Sequence, residues 1–223
     1  RFFMGWKACA IFASAEPGYF GTAPQHQPQR ADALCHQLGF AGYVRSGESD
    51  LVSALYPSSG TLSVGAYPHG TIVCERNLPG HFFDTPARKT IQGAKVQRPD
   101  IKTQVLNLYP TGQVLAIVLH SVVNLWGYSL YAKGQLVRSA AGASDDGLFA
   151  NTGKPLPEES RVLDMCSIEN VDEEGYGEEL VFDVASRFLG GRIDALENHT
   201  LALSQYEKRS AFSSLVKRLF ARA

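Results

Sequence analysis

Residues Val114 to Glu159 read VLAIVLHSVVNLWGYSLYAKGQLVRSAAGASDDGLFANTGKPLPEE. An unbroken apolar run ends at His120-Ser121. An aromatic segment follows, and Lys133-Gly134 then supplies a two-residue turn whose glycine tolerates positive φ. LVRS comes next, and Asp145-Asp146-Gly147 and Asn151-Thr152-Gly153 mark further turns. This pattern predicts an antiparallel meander, with strands over 114–121, 125–131 and 136–139. Beyond it, the proline-flanked stretch 155–161 predicts the start of a short helix.

Upstream, residues 6–13 predict a strand, and a Gly/Pro/Gln loop occupies 17–28. Ala31, Leu34, Cys35 and Leu38 share one helical face, with Gly39 at the C-cap, which predicts a helix over 29–38. Short strands are expected at 51–55, 61–66 and 71–75, and residues 77–100 read as an irregular excursion with a short helix. Downstream, Val181, Val184, Ala185, Phe188 and Leu189 form an apolar stripe ended by Gly190-Gly191. Ser204 and Glu207 have capping-box spacing, and Phe212, Leu215, Val216, Leu219 and Phe220 fall on one helical face. The reading is an α+β fold: a largely antiparallel β-sheet containing the meander 114–139, two packed helices, and an amphipathic C-terminal helix. A single globular domain is expected over 4–191, a linker over 192–203, and a basic amphipathic helix over 204–223.

At 223 residues, with 44% hydrophobic and 19% charged residues, the chain can bury a real core. Its net charge of −1 argues against a general nucleic-acid binder. Cys9, Cys35 and Cys74 sit among apolar neighbours, and no two cysteines make a CxxC pair. Buried free thiols in a reducing, cytoplasmic setting are therefore expected. The segment Ala8–Ala15 imitates a signal peptide, but its apolar stretch is short and a buried first strand is favoured. Nothing approaches a membrane span.

The chemistry-bearing residues form no familiar constellation. His120 and Ser121 are strand neighbours pointing to opposite faces, so they cannot pair with each other; a serine nucleophile would need His69 or His81 from elsewhere. There is no G-x-S-x-G elbow, no phosphate loop, no EF-hand spacing and no histidine spacing for metal, so neither a metal nor a cofactor is expected. Trp126, Tyr128 and Leu130 share a sheet face and either stack on a flat ligand or pack in the core. Arg138 is expected to pair with Glu158 or Glu159. Nine acids between Glu158 and Glu179 face a single base, Arg161, giving either a solvated loop or a docking surface for a basic partner. Lys217 and Arg218 lie beside the apolar face of the tail, which suits an anionic membrane, a partner's groove or its own domain.

The segment HSVVNLWGYSLYAKGQLVRS, with GKPLPEE after it, resembles a bacterial family of uncharacterised proteins known as a domain of unknown function. MGWKACAIFA and LVSALYPSSGTLSVGAYPHGTIVCER extend the resemblance over roughly 4–159. Members carry an acid after HSVV where this chain has Asn124, and the tail from Ser204 is not part of the resemblance. It implies no established activity.

The leading expectation is a non-catalytic protein that binds another protein, or itself, in an accessory or immunity-type role, through the acidic stretch and the basic tail. The alternatives are a small hydrolase-like enzyme with His120, Arg138 and Glu158 converging on a pocket, and a peripheral membrane protein attached through Phe212–Phe220.

Overall fold

The computed structural model describes residues 5–92, 100–195 and 201–209. Their backbone builds one nine-stranded antiparallel sheet with helices on both faces. The strands are β1 (Lys7–Ser14), β2 (Tyr43–Asp50), β3 (Thr61–Tyr67), β4 (Gly70–Cys74), β5 (Gln113–His120), β6 (Leu125–Ala132), β7 (Gln135–Ala143), β8 (Gly147–Thr152) and β9 (Ala202–Lys208). Their order across the sheet is β2-β9-β3-β4-β1-β5-β6-β7-β8. The helices are α1 (Pro28–Gln37), α2 (Leu51–Ala54), α3 (Thr85–Gln92), α4 (Ile101–Leu106), α5 (Ser160–Leu163) and α6 (Gly177–Leu189).

The meander forms β5 through β7, and β8 extends it to four of the nine strands. Lys133 and Gly134 both take positive φ, as a primed two-residue hairpin requires. Because side chains alternate across a strand, the meander divides its residues between two cores. Ala8, Ala10 and Phe12 of β1, Leu115, Ile117 and Leu119 of β5, and Trp126, Tyr128 and Leu130 of β6 face the apolar stripe of α6. On the opposite face, Ile11, Ala13, Val114 and Ala116 lie under α1 and α4. Cys9, Val118 and Ala141 join Phe83 and Ala87 in a smaller cluster there. Gly127 is set by this packing, since a Cβ would stand 2.8 Å from that of Ala141.

Three expectations are corrected. Residues 51–54 form a helical turn, not a strand, because the Asp50 carboxylate caps it by accepting from the Ser53 N–H at 2.9 Å. Residues 43–50, to which the sequence assigned no element, and 147–152, which overlap two expected turns, are edge strands. The largest change concerns residues 202–208. They are neither linker nor helix start: β9 pairs with β2 on one side and β3 on the other, with Leu203 and Ser204 fully buried. The globular unit therefore runs beyond residue 191 to Lys208. Here alternation, with Leu201 and Leu203 on one face and Ser204 and Tyr206 on the other, outweighs the capping-box spacing. The expected helical face of Phe212, Leu215, Val216, Leu219 and Phe220, with Lys217 and Arg218, lies outside the described residues.

Candidate functional site

β5 ends at His120, and the chain makes a 3-10 turn over Ser121–Val123 before β6 begins at Leu125. Asn124 closes that turn in the left-handed region at φ 45°, and its side-chain amide donates to the Asp172 carbonyl at 3.3 Å. Val122 and Val123 are thereby held in water, at 77% and 49% exposure.

The turn joins two lining residues, His120 and Leu125, of a cleft of about 610 Å³. Sheet register builds the floor. Lys7 is paired with His120, and Cys9 with Val118, at the end of β1 where β4 no longer runs alongside. There the backbone of the α2 segment takes over: Leu55 accepts from the Cys9 N–H at 2.6 Å, which carries Tyr56 to the cleft wall. Arg76 and Asn77 enter from the chain leaving β4, and Ile91 from α3.

The electrostatics of the cleft are those of a cationic rim over an apolar floor. The Lys7 ammonium lies 5.1 Å and the Arg76 guanidinium 5.7 Å from the centre of the same Tyr56 ring. Neither cation forms a salt bridge with a described carboxylate, while Glu75 accepts from the Asn77 N–H at 2.9 Å. His120 stacks edge-on against Tyr56, and its Nδ1 is buried without a hydrogen-bond partner among the described residues. Such an atom costs on the order of 1–3 kcal/mol until something satisfies it. Burial, reinforced by Glu75, pushes the Cys9 thiol up to about 12, so it is not a thiolate nucleophile at neutral pH.

The other expected residues lie elsewhere. Arg138 stands opposite Leu130, on the α6 face of the sheet, whereas His120 is on the other face and about 17 Å away along the strand direction. Arg138 is 1% exposed and Glu159 is fully buried. Arg138 Nε donates to Glu159 Oε1 at 2.9 Å and Nη2 to Oε2 at 3.1 Å, while Nη1 donates to Asn151 Oδ1 at 2.7 Å. Glu159 Oε1 also accepts from the Leu156 N–H at 2.8 Å. Glu158, the residue expected to converge with them, turns away to Arg187 at 3.0 Å. The expected pocket of His120, Arg138 and Glu158 therefore does not assemble. A dyad of Ser121 with His69 does not assemble either, because His69 sits in the turn at the far end of β1, about 23 Å along the strand from Ser121. Trp126 and Tyr128, named as binding residues, are 1% and 0% exposed beneath α6 and cannot meet a ligand from solvent.

The acidic stretch is partly neutralised within the chain. Arg161 and Arg192 both clasp Glu179 and Asp183, leaving Asp164, Glu169, Glu173 and Glu174 exposed. Among the described residues, no group of three or more His, Cys, Asp or Glu is placed to hold a metal ion, and no helix is long and apolar enough to cross a membrane.

One cluster escaped sequence reasoning. Ser204 Oγ, fully buried on β9, lies 3.0 Å from His26 Nε2 and accepts from Arg45 Nη2 at 2.8 Å. His26 Nδ1 lies 3.2 Å from both the N–H and the carbonyl oxygen of Ala66, so either ring nitrogen can carry the proton. Burial lowers the His26 pKa and keeps the ring neutral. Arg45 and His26 meet on the one hydroxyl, and the cluster ties the 17–28 loop to β9. Its members are too far apart in sequence for any local pattern to reveal them.

The family model described as "Family of unknown function (DUF6928)" matches residues 8–162. The chain belongs to this family. The matched DUF6928 segment runs from β1 into α5, so it contains the 121–124 turn and both halves of the Arg138–Glu159 pair, and it stops before α6 and β9. No curated protein and no solved structure matches the chain.

Proposed function

We propose that this protein acts in the cytoplasm by binding another macromolecule, without covalent chemistry, through the 121–124 turn and the cationic rim beside it. The observation that carries this reading is the Val122–Val123 knuckle, two adjacent valines held in water at 77% and 49% exposure next to an open cleft. A scattered exposed apolar residue needs no explanation, but an adjacent pair beside cations that have no described carboxylate partner has the make-up of an interface anchor with a charged flank. The partner that fits is a protein with an apolar depression bordered by carboxylates. The buried thiols Cys9, Cys35 and Cys74 support a reducing compartment.

The reading moves the contact surface away from the acidic stretch, whose Glu179 and Asp183 are engaged by Arg161 and Arg192. An affinity capture from the lysate of the source organism tests it, with wild type compared to Val122→Asp/Val123→Asp. Both valines are solvent-facing, so the variant keeps its far-UV circular dichroism and melting temperature. A protein captured by wild type and lost from the variant supports the reading. Capture by both to the same extent removes the turn from it.

A further inference from the structure

The cleft has a make-up distinct from the knuckle. Its volume, about 610 Å³, is that of a small-molecule site, and an apolar surface with a few convergent polar groups is the usual composition of one. Cys9, Val118, Leu125 and Ile91 supply apolar surface, and Tyr56 supplies an aromatic wall. Arg76, Asn77, Ser59 and His120 supply the polar groups.

Two features of the cleft and its border, where Lys7 stands outside the lining, lack a counterpart among the described residues. Lys7 and Arg76 gather two positive charges on one aromatic ring, at 5.1 and 5.7 Å from its centre, with no described carboxylate in ion-pair contact with either. Like charges inside a Debye length repel, and an anion between them converts repulsion into attraction. His120 Nδ1 is the second: a buried hydrogen-bonding atom in the cleft wall with no partner among the described residues. One ligand answers both.

We propose that the cleft binds a small organic anion, its aromatic or aliphatic body against Val118, Leu125 and Tyr56 and its carboxylate or phosphate head between Arg76 and Lys7, within reach of His120. Arg76 gives a planar fork for the head, and Lys7 adds a point charge. Cys9 contributes only surface, since its thiol stays protonated. This inference shares the cationic rim with the macromolecular reading and differs from it in needing neither Val122 nor Val123, which are not among the lining residues.

The test uses four probes on the full chain labelled with ¹⁵N: phenyl phosphate, benzoate, benzyl alcohol and inorganic phosphate. Saturable amide shifts are expected at Cys9, Val118, His120 and Leu125 with phenyl phosphate, benzoate or both, and the tighter of the two identifies the head group. Benzyl alcohol and inorganic phosphate, each lacking half of the ligand, are expected to bind at least about tenfold more weakly than that anion. Arg76 is exposed, so Arg76→Gln folds normally; it lowers affinity for the tighter anion by about tenfold or more and leaves benzyl alcohol unaffected. The proposal is overturned if neither aromatic anion gives saturable shifts at the cleft, if benzyl alcohol or inorganic phosphate binds as well as the tighter anion, or if Arg76→Gln binds that anion like wild type. The Val122→Asp/Val123→Asp variant retains anion binding, so loss of the partner and loss of the small ligand are read separately.

Discussion

Arg138 and Glu159 explain why LVRS and PLPEE stand out in the chain. They are two halves of one buried, doubly hydrogen-bonded ion pair that joins β7 to the segment after Pro157. Removing one partner strands a charge in the core. Arg138→Met and Glu159→Leu are each expected to cost about 3–5 kcal/mol, and the double substitution to recover much of the loss, as read from urea unfolding. Asn124 has a similar local logic. Its amide donates to the Asp172 carbonyl, which an aspartate there cannot do, so Asn124→Asp is expected to lower stability by about 1 kcal/mol. Asp172 itself carries a pH dependence. Burial holds its carboxyl above the usual carboxylate range, while the Trp126 indole N–H pulls it down. A pKa raised by folding adds stability below the unfolded value and loses it as pH rises through the folded one. Between about pH 4 and neutrality, wild type should therefore lose stability relative to Asp172→Asn, whose unfolding profile is flatter.

Among the elements, those with strong local patterns were legible: β1, α1, the β5–β7 meander, and α6 with its glycine cap. The edge strands β2 and β8 were not, since an edge strand is half exposed and lacks the apolar alternation that marks a central one. β9 was misread for a related reason. Seven residues hold both a capping-box spacing and a two-residue alternation, and only the gap between β2 and β3 decides between them. Consequently, a chain ending at Leu203 loses a central strand and is expected to fail to fold, whereas one ending at Arg209 keeps a cooperative melting transition. Ser204→Pro tests the same element. It removes a ladder donor and a buried hydroxyl between β2 and β3, and is expected to cost about 3 kcal/mol or more in denaturant unfolding. At the site, His120 was legible as a residue at a strand end. The company it keeps was not, because Tyr56 and Arg76 arrive from separate segments and only the sheet register brings them together.

At the scale of the whole molecule, two apolar cores lie on opposite faces of one sheet, and the apolar knuckle and cationic rim are gathered at one end of β1 and β5. The buried free thiols follow from the same layering: Cys9, Cys35 and Cys74 are in the cores and Cys166 is half-exposed. With a thiol-reactive disulfide reagent at pH 8, Cys166 is expected to react in the native state and the other three only in denaturant. The central claim is that the 121–124 turn faces the partner. A photo-crosslinking side chain at position 122, in cells of the source organism, tests it most directly, with position 165 as the control, because Met165 is also exposed but sits beyond α5. A discrete crosslinked species of higher mass is expected from position 122 and none from position 165. Equal crosslinking from both positions, or none from 122, would contradict the claim.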